Sequence, residues 1–137
     1  MTSETIAEQI SRWSGIPFVG LRISNIMEPH DYRRFPSYWP DPQSRKWNLW
    51  GYVDVRDVAA ACRLGLEADV TGSQNVIIAA AHTVMNRPSR DLLAEVFPSV
   101  PLNREIAEFG SLLATDRAKQ VIGYEPRYSW RDEIQVR

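Results

Sequence analysis

The fold is decided by the stretch Gly15-Ile-Pro-Phe-Val-Gly-Leu-Arg-Ile-Ser-Asn-Ile-Met-Glu-Pro29, which predicts a buried strand followed by a polar side chain. Residues 16–23 form a nearly continuous apolar run with a glycine before it. A run without polar alternation is typical of a parallel strand that helices cover on both faces. Because ligands bind beyond the carboxyl ends of such strands, Asn25 at that end is a candidate ligand-binding residue.

The composition of the 137-residue chain is that of an ordinary globular domain with a substantial core. Its 16 basic and 17 acidic side chains give a net charge of −1, which argues against nucleic acid or an anionic membrane as the main partner. The single cysteine, Cys62, excludes an intramolecular disulfide and favours a reducing compartment. No apolar run approaches the roughly 20 residues of a membrane span, and the first residues lack the features of a signal peptide. We therefore expect a cytoplasmic protein.

The first half of the chain predicts two helices around the strand. The hydrophobic pattern predicts a helix over residues 2–14, which Gly15 ends. Four prolines between residues 28 and 46 exclude a long helix there, and a short strand is predicted over residues 48–53. Asp54 is then expected to cap a second helix. The expected buried face of that helix comprises Val55, Val58, Ala59, Cys62 and Leu66. On this face the thiol of Cys62 would be buried and structural.

The second half of the chain predicts one more strand and two more helices. Gly72 marks a turn, and residues 75–80 form a second β-like run. A short helix over residues 89–97 is expected to direct its leucines inward. Thr115 is expected to begin the last helix and Gly123 to end it.

Several motifs of catalytic and metal-binding sites are absent from the sequence. Its seven glycines form no G-x-G-x-x-G or related phosphate-binding loop, and there is no C-x-x-C, H-E-x-x-H or G-x-S-x-G. The two histidines, His30 and His82, lie 52 positions apart without an acidic cluster at the spacing of metal ligands. We therefore assign no metal ligand and interpret both histidines as surface or hydrogen-bonded side chains.

Three segments carry a further signal when they are taken together. They are Leu21-Arg-Ile-Ser-Asn-Ile-Met-Glu-Pro29, Tyr52-Val-Asp-Val-Arg-Asp-Val-Ala59 and Thr115-Asp-Arg-Ala-Lys-Gln-Val-Ile-Gly-Tyr-Glu-Pro126. In this order they resemble the signatures of the extended short-chain dehydrogenase/reductase family, the NAD(P)-dependent sugar epimerases and dehydratases. The resemblance covers nearly the whole chain.

The resemblance implies an α/β fold: the C-terminal part of a Rossmann-like parallel sheet plus the small substrate-binding subdomain. Residues 1–137 would form a single partial domain. Within it, residues 1–27 would supply a helix and a strand of the nucleotide fold. Residues 28–137 would be mainly the substrate-binding portion, with a returning strand near 75–80.

The resemblance also indicates what the chain lacks. In the family a Tyr-x-x-x-Lys pair opens the helix before this strand, with an acidic residue commonly four positions beyond the lysine. If Glu4 is that acidic residue, the lysine would fall immediately before Met1, and the Gly-rich nucleotide-binding half would be missing too. We therefore expect the C-terminal substrate-binding portion of such an oxidoreductase, inactive alone. The alternative is a non-enzymatic oligomerising or small-molecule-binding module derived from the same fold.

Family roles carry over to three residues, none of them catalytic. Asn25 matches the asparagine whose amide holds a sugar-like substrate; the alternative is a strand-end residue that satisfies local backbone groups. Ser24 matches a cofactor-binding position whose backbone lies against the nicotinamide end of NAD or NADP. Trp50 falls at a substrate-binding position where the sugar-nucleotide epimerases often carry an arginine that holds the diphosphate.

The indole of Trp50 cannot make a bidentate phosphate contact, which puts a nucleoside-diphosphate sugar in doubt as substrate. Basic side chains of the preceding segment could replace the family arginine, although no spacing compels it: Arg33, Arg34, Arg45 and Lys46. Arg22, inside the strand, is expected to form a structural ion pair. Arg56 and Asp57 are expected to be first-turn residues of the second helix.

Aromatic residues crowd the segment 32–52, interleaved with basic ones. Such a mixture has three interpretations: the core of a small subdomain, a cover over a substrate, or a surface for single-stranded nucleic acid. The balanced net charge and the prolines favour the first two interpretations. No nucleic-acid partner is therefore expected.

Self-association is a further expectation. The helix over residues 2–14 carries an apolar stripe of Ile6, Ala7, Ile10 and Trp13. In the family that helix commonly packs against its counterpart in a dimer. If the preceding strands are missing, the strand at 16–22 also has an unpaired apolar edge. We expect a homo-oligomer that associates through the helix, the open edge or both, and no membrane partner.

Overall fold

A parallel pair of strands flanked by helices forms the centre of the structure, a computed structural model that describes residues 3–134. The helices and strands are, in chain order, α1 (Ser3–Ser14), β1 (Phe18–Ile23), β2 (Ile26–Met27), β3 (Val53–Asp54), α2 (Val55–Glu67), β4 (Ser73–Ile78), α3 (Ser89–Val96), α4 (Asp116–Ile122) and α5 (Trp130–Glu133). Two 3₁₀ helices, Pro29–Ser37 and Pro42–Asn48, lie between β2 and β3 along the chain.

Strands β1 and β4 run parallel, with Gly20 opposite Asn75. A second parallel pair joins β2 to β3, with Ile26 opposite Val53. The predicted fold class, an α/β chain with the C-terminal part of a Rossmann-like parallel sheet and a small subdomain, is confirmed. The returning strand predicted near residues 75–80 is present as β4, two residues earlier than expected. The division of the domain at residue 27 stays a prediction.

Helix α1 lies against both strands of the main sheet and ends where the sequence predicts. Gly15 follows it with a φ of 75°, a left-handed conformation that glycine adopts without strain. Arg22 of β1 pairs with Glu4 of α1 at 2.7 Å, which confirms the structural ion pair predicted for Arg22. Three apolar residues of the helix remain exposed: Ile6, Ile10 and Trp13.

The predicted buried face of α2 is wrong at four of its five residues, and Val58 packs against the core as predicted. The helix buries Asp57 and Ala61, and four residues expected in the core are exposed instead: Val55, Ala59, Cys62 and Leu66. The expected buried thiol of Cys62 is therefore wrong as well. The physical reason lies at Asp57, whose carboxylate accepts main-chain N–H groups of Arg127 and Tyr128 at 3.1 Å. These bonds hold Asp57 on the buried side of the helix, which it shares with Ala61.

The segment between β2 and β3 contains the two 3₁₀ helices and, as its prolines predict, no long helix. The strand predicted over residues 48–53 is wrong. Leu49 and Trp50 have φ angles of 53° and 55°, and extended backbone begins only at Val53. The fully buried rings of the adjoining core are Tyr32, Phe35, Trp50, Tyr52 and Trp130. For the four of these rings that lie within residues 32–52, the interpretation as core packing is correct.

The last third of the chain contains α3 and α4 as predicted, followed by a helix that the sequence pattern does not reveal. Helix α3 buries Leu92, and α4 ends at Gly123 with a φ of 70°. Helix α5 is four residues long, too short to show a hydrophobic period. Its Trp130 is buried and donates its indole N–H to the Thr83 carbonyl at 2.8 Å.

A buried carboxylate, Asp54, connects three parts of the structure. It caps α2 by accepting the Arg56 N–H at 2.8 Å, as predicted, and it also accepts the Tyr32 hydroxyl from the first 3₁₀ helix. The Arg56 guanidinium bonds to Asp54 at 2.8 Å and to Glu133 of α5 at 2.7 Å. Burial raises the pKa of Asp54, but the hydrogen bonds from Arg56 and Tyr32 outweigh it and hold the pKa below its usual range.

Removal of this carboxylate is expected to destabilise the fold. Asp54→Ala deletes the cap of α2 and leaves the buried Tyr32 hydroxyl without its acceptor, so the free energy of unfolding should fall by about 3 kcal/mol. Urea denaturation followed by circular dichroism measures the change. Asp69→Ala, at an exposed position, is the control and should alter stability by less than about 0.5 kcal/mol. Equal effects of the two substitutions would contradict the role of Asp54.

A second prediction concerns His82, which lies 3.2 Å from the Ser129 hydroxyl through Nδ1. Burial, together with the charge of Arg131, lowers the pKa of His82 below 6.5. The unfolded chain therefore binds this proton at higher pH than the folded chain, and stability is lost as pH falls below about 6.5. His82→Gln should flatten the fall in Tm between pH 7 and 5. His30→Gln, at an exposed histidine, is the control; a wild-type pH profile for His82→Gln would refute the prediction.

Candidate functional site

A cleft of about 760 Å³ opens at the carboxyl end of β1, and we call it the strand-end cleft. Its lining consists of Arg22, Ile23, Ser24, Asn25, Ile26, Trp47, Asn48, Leu49, Ile77 and Leu113. Strand β4 reaches the cleft at Ile77 because parallel strands end at the same edge. This is the edge at which open α/β sheets bind their ligands.

Two of the three predicted site residues, Ser24 and Asn25, line the strand-end cleft. Their backbone is fixed by both sheets: the Ser24 N–H donates to the Ile78 carbonyl at 2.9 Å, and the Asn25 carbonyl accepts the Val53 N–H at 3.0 Å. Within residues 3–134 the Asn25 side-chain amide has no hydrogen-bond partner. The Asn25 backbone is therefore held in place at the cleft, while the donors and the acceptor of its side-chain amide stay available.

The third predicted site residue, Trp50, lies outside the cleft. It is fully buried, its indole N–H donates to the Pro42 carbonyl at 2.8 Å, and its ring packs against Phe97 at 6.0 Å between centroids. The left-handed turn at Leu49 and Trp50 carries the side chain into the core of the subdomain. Since the ring has no exposed surface, Trp50 supports the cleft from behind and is not placed to contact a substrate.

Trp47 and Asn48 line the cleft, whereas the family resemblance implied Trp50 as the substrate-binding residue of this segment. Trp47 is 70% exposed, and Asn48 is held by a hydrogen bond from its Nδ2 to the Gly51 carbonyl at 3.0 Å. The Asn48 Oδ1 is buried and has no partner within the described residues. Trp47 belongs to the aromatic segment 32–52, for which a cover over a substrate is one interpretation. No local pattern separates its exposed ring from the buried rings of the same segment.

Gly51 permits the close approach of the two sides of the cleft. A Cβ atom at this position would lie 2.5 Å from Leu113 Cδ1 and 3.1 Å from both the Asn48 carbonyl and Ser24 Oγ. Because residue 51 is a glycine, the side chains of Ser24 and Leu113 can both lie close to the backbone of the turn.

Among residues 3–134, those that line the cleft carry one charge and no carboxylate, imidazole or thiol. Among the described lining residues, Arg22 is the charged side chain, and its pairing with Glu4 raises its pKa. Tyr52 is buried, which raises its pKa to about 12, and its hydroxyl accepts the Trp130 N–H. The geometry is suited to binding and orienting a ligand, and it offers no general base.

Clusters suited to a metal are absent from residues 3–134, where no three His, Cys, Asp or Glu side chains come together. His30 is exposed beside Glu28, with 3.3 Å between the ring Nδ1 and the carboxylate. Across the same part of the chain, none of the helices has the length and hydropathy of a membrane span.

No family model and no curated protein matches the sequence. Among solved structures, the chain is similar to the structure of RMD from Pseudomonas aeruginosa complexed with NADPH. The TM-score is 0.54 at 18% sequence identity, and the match covers 95% of this chain and 49% of the other. The chain thus spans about half the length of that protein. At this identity the likeness establishes the fold, which is shared with part of an NADPH-binding protein.

Proposed function

We propose that the chain is the substrate-binding portion of an NAD(P)-dependent oxidoreductase of the sugar epimerase/dehydratase type. The observation that carries the proposal is the strand-end cleft. Ser24 and Asn25 line it, in a fold that 95% of the chain shares with an NADPH-complexed structure. The size of the cleft suits a small molecule, and its lining combines apolar surface with a few amide and hydroxyl groups.

In this proposal the Asn25 amide binds the substrate and the backbone of Ser24 lies against the nicotinamide end of the cofactor. The exposed ring of Trp47, with Asn48 beside it, forms the opposite wall. A sugar can pack the C–H face of its ring on an indole while its hydroxyl groups donate to amide oxygens. These groups favour a hydroxyl-rich substrate.

Catalysis in this proposal needs groups that the sequence does not contain. It has no Tyr-x-x-x-Lys pair and no Gly-rich phosphate loop, and the cleft offers no base of its own. A further segment or another chain would supply the cofactor loop and the proton acceptor. The chain by itself is therefore expected to bind substrate without transferring a hydride.

The proposal predicts binding that depends on Asn25. Saturation-transfer NMR of the chain with a panel of monosaccharides, sugar nucleotides and NADPH should identify a ligand. Asn25→Ala should weaken its binding by about tenfold, because one buried hydrogen bond is lost. Asn103→Ala, in an exposed loop, should leave the affinity unchanged. The absence of any ligand, or oxidation of NADPH by the chain alone, would contradict the proposal.

The second candidate function is an oligomerising module, and the exposed apolar residues of α1 favour it. Trp13 is 87% exposed, beside exposed Ile6 and Ile10 on the same helix. We propose that two copies of the chain associate through this stripe, as the family resemblance implies. Association through α1 is compatible with the cleft, because α1 does not line it.

Self-association predicts a dimer in sedimentation velocity at tens of micromolar. Ile6→Glu combined with Trp13→Glu places charges in the proposed interface and should shift the chain to monomer. Leu66→Glu, on the exposed face of α2, is the control and should leave the dimer intact. A wild-type monomer, or dissociation by the control alone, would show that α1 is not the interface.

A further inference from the structure

Arg45, in the second 3₁₀ helix, is a buried arginine that lies between two aromatic rings. It is 8% exposed, and its Cζ lies 4.8 Å from the ring centroid of Tyr38 and 5.5 Å from that of Trp47. The Tyr38 side chain is also a hydrogen-bond partner of the guanidinium. An arginine stays protonated even when it is buried, so its attraction to both ring faces persists at neutral pH.

Trp47 is the more exposed of the two rings, and it lines the strand-end cleft. Its side chain is 70% exposed. Exposed side chains ordinarily change rotamer within picoseconds to nanoseconds, and fixing one of them costs conformational entropy. A guanidinium stacked on the indole favours the rotamers that keep this contact. The buried Arg45 therefore restrains a ring that solvent would leave mobile.

The main chain of Arg45 supports the same side of the cleft. Its carbonyl accepts the N–H groups of Leu49 and Trp50, the latter at 3.2 Å. These bonds close a left-handed turn with φ angles of 53° and 55°, a conformation in which glycine is usual and other residues are strained. Leu49 lines the cleft next to Trp47. Main-chain bonds thus fix the backbone of this wall, and the Arg45 side chain acts on the ring.

We infer that Arg45 is a positioning residue of the strand-end cleft, whose guanidinium orients the Trp47 ring as an ordered surface for the ligand. The inference rests on the proposed function of the cleft and deepens it. An indole that is already ordered can pack against the C–H face of a ring-shaped ligand without first losing rotamer entropy. Attraction to two ring faces also explains how the charge is held without a carboxylate partner among residues 3–134.

The test is NMR relaxation of the ligand-free full chain, which gives the order parameter of each indole N–H. In the wild type the Trp47 indole should be nearly as ordered as rigid backbone, with an order parameter of about 0.8. Arg45→Met removes the charge and the planar group, and the value should fall below about 0.6. Because the Arg45 carbonyl makes the bonds to Leu49 and Trp50, the backbone N–H groups of residues 47–50 should keep their wild-type order.

Arg131→Met is the matched control, because Arg131 is also partly buried and its Cζ lies 4.5 Å from the Trp130 ring centroid. This variant should leave the Trp47 indole ordered. Loss of order in both variants would reveal a general loosening and would overturn the inference. A lower Tm for Arg45→Met with an ordered Trp47 indole would show that the guanidinium only stabilises the fold, with the same consequence.

Arg45→Lys provides the same test if the methionine variant does not fold. Lysine keeps the charge but lacks the planar group, so the order of the Trp47 indole should again fall. Wild-type order in the lysine variant, or failure of both variants to fold, would contradict the positioning role. Since no ligand is present, a negative result here leaves the proposed function standing. Conversely, a sugar panel without any ligand would not change the measured order of the ring.

Discussion

Parallel hydrogen bonds between β1 and β4 bring both strand ends to one edge, and they continue past β1 in the bond from the Ser24 N–H to the Ile78 carbonyl. One residue later the Asn25 carbonyl accepts the Val53 N–H and so joins the main sheet to the second one. Two consecutive residues are thus fixed by different sheets. The backbone on either side of the Asn25 side chain is therefore fixed at the edge of the cleft before any ligand arrives.

The subdomain around the cleft depends on buried carboxylates as much as on its aromatic core. Asp54 accepts bonds from the first 3₁₀ helix and from Arg56, which reaches α5 through Glu133. Asp57, one turn along α2, holds the backbone that leads into α5. These carboxylates accept hydrogen bonds from groups in distant parts of the chain. The buried charges therefore help to fix how those parts of the chain are arranged. Arg45 is the exception, a buried charge without a carboxylate partner among the described residues.

Sequence signals predicted the elements whose causes are local. Gly15 and Gly123 end their helices through the left-handed conformation, and the apolar run over residues 16–23 contains β1. The same reasoning failed for most of the apolar stripe of α2, which is exposed, while Asp57 is buried and has its partner 70 residues away at Arg127. It also failed at Trp50, where two left-handed residues replace the expected strand.

By itself the sequence determined helices α1 to α4, strands β1 and β4, the polar end of β1 and the lack of a Gly-rich loop and a Tyr-x-x-x-Lys motif within it. These features depend on residue type and on neighbours within a few positions. Only the tertiary structure decided that Trp47 and Asn48 line the cleft, that Trp50 supports it from behind and that Arg45 has no counter-ion. Burial and pairing are set by residues brought together from distant positions, and no local pattern encodes those distances.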